Sequence, residues 1–218
     1  MAKFIQEFYT FLSFVEGNHI ASQRPPEKID SALYFTVLDT YNKWIDHYGK
    51  TKKIDSFLTP FKRQREITLT AGSGTLPGDY AHHRVLYKED GTTKIDLVLD
   101  DKWAYRVNRK IGPVSADRPI ARVEFNTAVP PVQKLEVLPL SLTKCKLLYF
   151  KMPDRPKYAY TVVGNRYVYN DAESVDIEFS PLLYPDLLHR VLSVIGVNLR
   201  EGQLVQAMEL FKSQEQRK

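Results

Sequence analysis

Apolar residues recur at helical spacing from the start of the chain. Phe4, Phe8, Phe11, Leu12 and Val15 follow i, i+4, i+7, i+8, i+11 and mark one face of a helix, with Gly17-Asn18 placed to stop it. Pro25-Pro26 opens a second helix, since proline is tolerated in a first turn, where its missing N–H has no partner to lose. That helix carries two apolar rows. Ile29, Leu33 and Val37 form one; Tyr34, Leu38, Tyr41, Ile45 and Tyr48 form the other, and Gly49 is placed as the C-terminal cap. An arc this wide exceeds what a surface helix needs to cover one core. Two readings stay open: the helix runs through the middle of its domain, or the second row meets another subunit.

From Glu66 the period changes to two. Ile67 and Leu69 alternate with polar residues, and Ala71-Gly72-Ser73-Gly74 makes a turn. Val85-Leu86-Tyr87 and Ile95 to Leu99 flank Glu89-Asp90-Gly91 as a hairpin. Residues Asp101 to Ile111 fit a helix through Trp103, Val107 and Ile111, or a strand through Trp103, Tyr105 and Val107; a short helix capped by Asp101 is favoured. Gly112, Pro113 and Pro119 make 112–120 an extended loop. Strands are predicted at Ala121–Phe125, Leu135–Val137, Lys146–Phe150, Tyr158–Val163, Tyr167–Tyr169 and Val175–Phe179, with Gly164-Asn165 as a two-residue turn. Helix returns at Pro185, with Leu188, Val191, Leu192 and Ile195 as its apolar row and Gly196 at its end. Asn198 then caps a last helix striped by Leu204, Val205, Met208 and Phe211.

Runs of one element type predict an α+β fold, with N-terminal helices, a central mostly antiparallel β domain with extended loops, and a C-terminal helix pair packing back on the N-terminal helices. The expected segments are 1–62, 63–180 and 181–218, the first and last forming one helical layer. No repeat and no low-complexity stretch interrupts them.

Composition narrows the class. A chain of 218 residues buries roughly 70% of the surface its unfolded form exposes, so it needs no disulfide or metal staple. Cys145 is the lone cysteine, which excludes a disulfide framework and multi-cysteine metal sites and suits assembly inside a cell. No run has the length of a membrane span, and residues 1–15 alternate too often for a signal peptide, so no membrane role is expected. The formal net charge is +5, but Lys and Arg exceed Asp and Glu by two in 1–70, by two in 71–180 and by one in 181–218. Such an even spread lacks the concentrated footprint of a nucleic-acid binder. The local exception is Lys102, Arg106, Arg109, Lys110, Arg118 and Arg122, opposed by Asp117 alone and preceded by Asp100-Asp101. A solvated or subunit-contacting surface is the favoured reading there, a DNA-contacting loop the other.

No catalytic constellation is found. Gly49-Lys50-Thr51 resembles the end of a phosphate-binding loop, but Trp44 stands where its first glycine belongs, and the triplet ends a helix instead of opening one. Gly72, Gly74 and Gly78 lack dinucleotide spacing. His82-His83, neighbours on a strand, point to opposite faces and read as a surface and core pair, not metal ligands. Cys145 lies between two lysines with no histidine near in sequence and reads as an inert thiol. No catalytic residue, cofactor or metal is expected. Aromatics, by contrast, make up 12% of the chain, with Tyr149, Tyr158, Tyr160, Tyr167 and Tyr169 clustered. They suit either a protein–protein interface or a plain sheet face.

The order of segments resembles the head-to-tail connector proteins of tailed bacteriophages, most closely the ring or adaptor proteins of crAss-like phages of Bacteroidetes. Arg24-Pro25-Pro26-Glu27-Lys28-Ile29-Asp30 is similar to that family's proline–acid opening of a long second helix, and Phe57-Leu58-Thr59-Pro60-Phe61-Lys62 follows. Leu76-Pro77-Gly78-Asp79-Tyr80 resembles the L-P-x-D-[YF] segment after the first strand in short-tailed phage adaptors and tail-tube gatekeepers. Leu135 to Pro139, Leu147 to Pro156 and Gly196-Val197-Asn198-Leu199 complete the series, whereas Gly78 and His82-His83 find no match.

The resemblance implies a non-enzymatic virion protein in the portal–tail connector, assembled in the bacterial host cytoplasm. Its partners would be itself, in a ring of twelve copies, the portal protein, and neighbouring tail or ring proteins. DNA would pass through the lumen without sequence-specific binding. Leu76, Pro77, Asp79 and Tyr80 would form a structural turn, Asp79 bonding backbone N–H groups and Tyr80 packing inward. Tyr34, Leu38, Tyr41, Ile45, Arg106, Arg109, Lys110 and Arg118 are the candidate subunit interface. The alternatives are a tail-tube gatekeeper, a head-completion protein, or a non-sequence-specific DNA-binding module using Lys102–Arg122.

Overall fold

The computed structural model describes residues 4–19, 26–51, 53, 56–125, 132–163 and 166–195. In chain order these form α1 (Phe4–His19), α2 (Pro26–Thr51), β1 (Lys62–Thr68), β2 (Ser73–Thr75), β3 (Tyr80–Lys88), β4 (Lys94–Leu97), α3 (Asp100–Val107), β5 (Ile120–Phe125), β6 (Gln133–Leu138), β7 (Lys144–Lys151), β8 (Tyr160–Val163), β9 (Arg166–Tyr169) and α4 (Tyr184–Val194). The fold is α+β. Two units share the chain: Met1–Pro60 with Pro153–Lys218, and Phe61–Met152. The expected grouping of 63–180 therefore breaks after residue 152, and β8 and β9 belong with the helices.

In the Phe61–Met152 unit, seven strands form one nearly closed sheet in the order β1-β7-β3-β4-β5-β6-β2. The pairings are antiparallel except that of β4 with β5, and α3 lies in the crossover that a parallel pair requires. Alternation decides what fills the interior: Leu135 and Val137 on β6, and Cys145, Leu147 and Tyr149 on β7, are buried with Ile67 and Leu86. The two edge strands approach each other through a tight turn. Thr70 and Ser73 exchange backbone hydrogen bonds of 2.8 and 3.0 Å across Ala71 (φ 49°) and Gly72 (φ 75°). Two positive φ values in succession make a type I′ turn, which matches strand twist. Gly74 then runs so close to β1 that a Cβ there would sit 2.5 Å from the Ile67 Cγ2.

In the other unit, Phe8 and Leu12 of α1, Leu33 and Val37 of α2, and Leu187 and Val191 of α4 are buried. α4 packs against α2, and Arg190 ties them through Asp39 at 3.0 Å. The start of α1 is capped from far along the chain: the Phe4 and Ile5 N–H groups donate to the Asp176 carboxylate at 3.1 and 3.0 Å. An acid at the positive end of a helix is favourable, and it satisfies donors with no partner inside the helix. β8 and β9 form a separate two-stranded ribbon.

Several expectations are corrected. α1 continues through Gly17-Asn18 to His19, and α2 passes Gly49 to Thr51, whose hydroxyl donates to the His47 carbonyl at 2.9 Å and extends the helical bonding. α3 settles the ambiguous 101–111 segment as helix, yet its N-cap is Leu99 without a side-chain bond. Asp100 and Asp101 lie in the first turn instead. Val175–Phe179 is no strand: a single bridge joins Val175 to Lys157, and the chain then turns to present Asp176 to α1. Gly164-Asn165, Gly196-Val197-Asn198-Leu199 and the last helix expected after them lie outside the described residues.

Candidate interaction surfaces

Leu76–Tyr80 forms the turn into β3. The Tyr80 N–H donates to the Pro77 carbonyl at 3.0 Å, and Leu76 is buried in the sheet interior. The Asp79 carboxylate accepts from the Tyr149 hydroxyl at 2.8 Å, a side-chain donor on β7 where backbone N–H groups were expected. Its backbone carbonyl accepts from Met152 N–H at 2.8 Å, so Asp79 fastens the turn at two points. Tyr80 is half-buried with its ring 5.8 Å from that of Tyr149. Burial first, then the Asp79 carboxylate, push the Tyr149 hydroxyl up to about 12.

The broad apolar arc of α2 divides. Tyr41 and Ile45 are 1% and 8% exposed, already covered within the chain, and so have no surface left for another subunit. Tyr34 and Leu38 are half-buried, Tyr34 lying 5.5 Å beneath the Arg155 guanidinium. The neighbouring exposed residue is Phe35.

The basic stretch divides as well. Arg122 is half-buried over the Trp103 ring at 4.8 Å and is held by Glu136 at 2.5 Å, by Glu124, and by Asp100 at 3.9 Å. It is a structural hub across β5 and β6. Arg106 lies 3.4 Å from Asp96. Arg109, Lys110 and Arg118 are exposed and have no ion-pair partner among the described residues.

His82 and His83 are both exposed, not a surface and core pair, because the irregularities of β3 against β7 on either side of them disturb the alternation. Cys145 is buried, and burial pushes its thiol up to about 12. Among the described residues no group of His, Cys, Asp and Glu is placed to hold a metal ion, and no helix is long and apolar enough to cross a membrane.

Two features escaped the sequence. One is a cleft of about 500 Å³ beside β4, with Leu86, Leu97, Val123 and Leu147 on its walls. β3 pairs with β4 only at Leu86–Ile95 and Tyr87–Lys94. The other is a buried polar node. Asp30, 8% exposed, accepts from the Tyr9 hydroxyl at 2.6 Å and from Tyr158 N–H at 3.1 and 3.2 Å. The Tyr9 hydroxyl also lies 2.9 Å from the Pro26 carbonyl, and its ring stacks on that of Tyr158. Burial raises the Asp30 carboxyl above its ordinary value despite these bonds, and raises Tyr9 further still. The signal was present in the spacing: Pro26, Asp30, Leu33 and Val37 share one helix face, so Asp30 points where apolar residues point.

Neither a protein-family model nor a curated protein matches the chain.

Proposed function

We propose that this chain is a structural subunit of the phage portal–tail connector, forming a closed homo-oligomeric ring that joins portal to tail around the DNA channel. The observation that carries the assembly part is the β8–β9 ribbon. Val162 and Val163 are 62% and 64% exposed, and as strand neighbours they point to opposite faces, so both sides of the ribbon present valine to solvent. A lone two-stranded ribbon is marginal in water, and apolar residues on both faces add nothing to it until something covers them. A neighbouring copy is the occupant this reading assigns. Heterologous contacts of that kind close into a ring when the rotation permits.

The phage connector itself, and the twelve-fold symmetry that goes with it, rest on the ordered resemblance from Arg24-Pro25-Pro26 to Leu147–Pro156. The protein's work is geometric: it holds neighbours in place and performs no chemistry. Each neighbouring pair should bury more than about 2,000 Å², as permanent assemblies do. Mass photometry and electron microscopy of the purified chain test this. A closed ring is expected, and Val162→Lys with Val163→Lys should release folded monomers. A wild-type chain that stays monomeric at every concentration, or a double variant that assembles unchanged, overturns the reading.

A further inference from the structure

We propose that the concavity between the end of α3 and the loop preceding β5 is a phosphate-binding site. It has a volume of about 290 Å³ and is bordered by Lys94, Arg106, Arg109 and Arg118 against Asp96 and Asp117. Four cations thus face two carboxylates across one small polar hollow. Lys94 and Arg106 are drawn to Asp96, at 3.8 and 3.4 Å. Arg109 and Arg118 hold no ion pair among the described residues, although Asp117 borders the same hollow. Gly112 (φ +68°) makes room for one of them: a Cβ there would lie 2.7 Å from Arg118 Nη1.

The end of α3 would oppose an anion, since carbonyls there carry partial negative charge. Asn108 reduces that opposition by donating both its backbone N–H and its side-chain amide to the Ala104 carbonyl, at 3.1 and 2.9 Å. Guanidinium groups match planar or tetrahedral oxyanions with paired N–H donors. A carboxylate offers two oxygens, enough for one such fork. A phosphate offers more, and two unpaired forks on one hollow suit it better. Arg122 takes no part, being consumed by Glu124 and Glu136. The phosphate can belong to a nucleic-acid backbone or to a free phosphate compound. The assignment does not depend on ring assembly.

The test uses the full chain with two probes: fluorescence anisotropy of a labelled random-sequence DNA duplex over a salt series, and calorimetric titration of pyrophosphate. Arg109→Gln with Arg118→Gln should weaken binding by about tenfold or more per lost arginine. It should also lower the slope of log affinity against log salt by about 0.9 per phosphate contact removed. Arg65→Gln with Lys134→Gln, an equal loss of charge elsewhere in the same unit, should leave both nearly unchanged. Duplex binding with this dependence assigns the site to a nucleic-acid backbone; pyrophosphate binding alone, with the same dependence, assigns it to a free phosphate compound. Failure of both probes to bind, equal losses in the two double variants, or a polyglutamate peptide binding as tightly as either probe overturns the proposal.

Discussion

Asp30→Ala should loosen the helical unit by an amount the geometry allows one to work out. Alanine suits the interior of α2 at least as well as aspartate, so helix propensity offers no penalty. What disappears is the acceptor of two donors. The Tyr9 hydroxyl keeps the Pro26 carbonyl at 2.9 Å, whereas the Tyr158 N–H loses both carboxylate oxygens. A fully buried donor left without its partner costs about 1–3 kcal/mol, the part-buried Tyr158 N–H falling at the lower end, and a bond to a charged acceptor contributes about 1.5–3 kcal/mol. Against this stands the relief of a carboxylate that burial already disfavours. The net expectation is a loss of about 2–3 kcal/mol, or a fall of roughly 5–10 °C in the unfolding temperature of that unit. Urea unfolding followed by Trp44 fluorescence isolates it, once Trp103 in the other unit is replaced by phenylalanine. Tyr9→Phe should cost less, since Asp30 keeps Tyr158, and the double variant should show a coupling of about 1 kcal/mol. Unchanged midpoints, or strict additivity of the two substitutions, would refute the claim that these groups act as one node.

The same carboxyl predicts a pH dependence. Its folded value is raised above the ordinary 3.8, so protonation favours the folded unit; that contribution is fully present below the unfolded value and is lost as pH rises through the folded one. The stability difference between wild type and Asp30→Asn should therefore shift in favour of wild type as pH falls from 7 towards 4. Gly74→Ala should destabilise the sheet unit by about 1–3 kcal/mol, because its methyl would meet the Ile67 Cγ2 at 2.5 Å and the Thr68 carbonyl at 2.9 Å; urea unfolding followed by Trp103 fluorescence reads it. Cys145, its thiol pushed up to about 12, should resist a thiol-specific reagent at pH 8 in the native protein and react at once in denaturant.

Local spacing revealed those parts of the structure whose partners are near in sequence. Ile29, Leu33 and Val37 are buried as their period requires, and β6 and β7 fall on Leu135–Val137 and Lys146–Phe150. The width of the α2 arc was equally legible, but width tells how much of a helix is covered and not by what. Tyr41 and Ile45 proved to be covered within the chain. Val175, Ile177 and Phe179 show the opposite failure. Ile177 and Phe179 are buried at alternate positions, yet beyond the single bridge at Val175 no strand forms. Extended chain buries every second residue whether or not a partner strand exists. Arg122 looked equivalent to Arg109 and Arg118 until its cross-strand partner Glu136 appeared, and the tie between Asp30 and Tyr158 spans 128 positions. Pairings at that range leave no mark on a local window.

Lys62 pairs with Phe150, so the Phe61–Met152 unit begins and ends on neighbouring strands. That arrangement sets a timetable for synthesis. α1 and α2 emerge first, but α4 and the Asp176 that caps α1 follow only after the whole inserted unit has been made, a delay on the order of ten seconds. The inserted unit holds all seven strands of its sheet and can finish folding within that interval. The helical unit cannot. The face of α2 that meets α4 must wait uncovered, which makes the nascent helical segment the part most dependent on a chaperone and the part where slowed translation would do most harm.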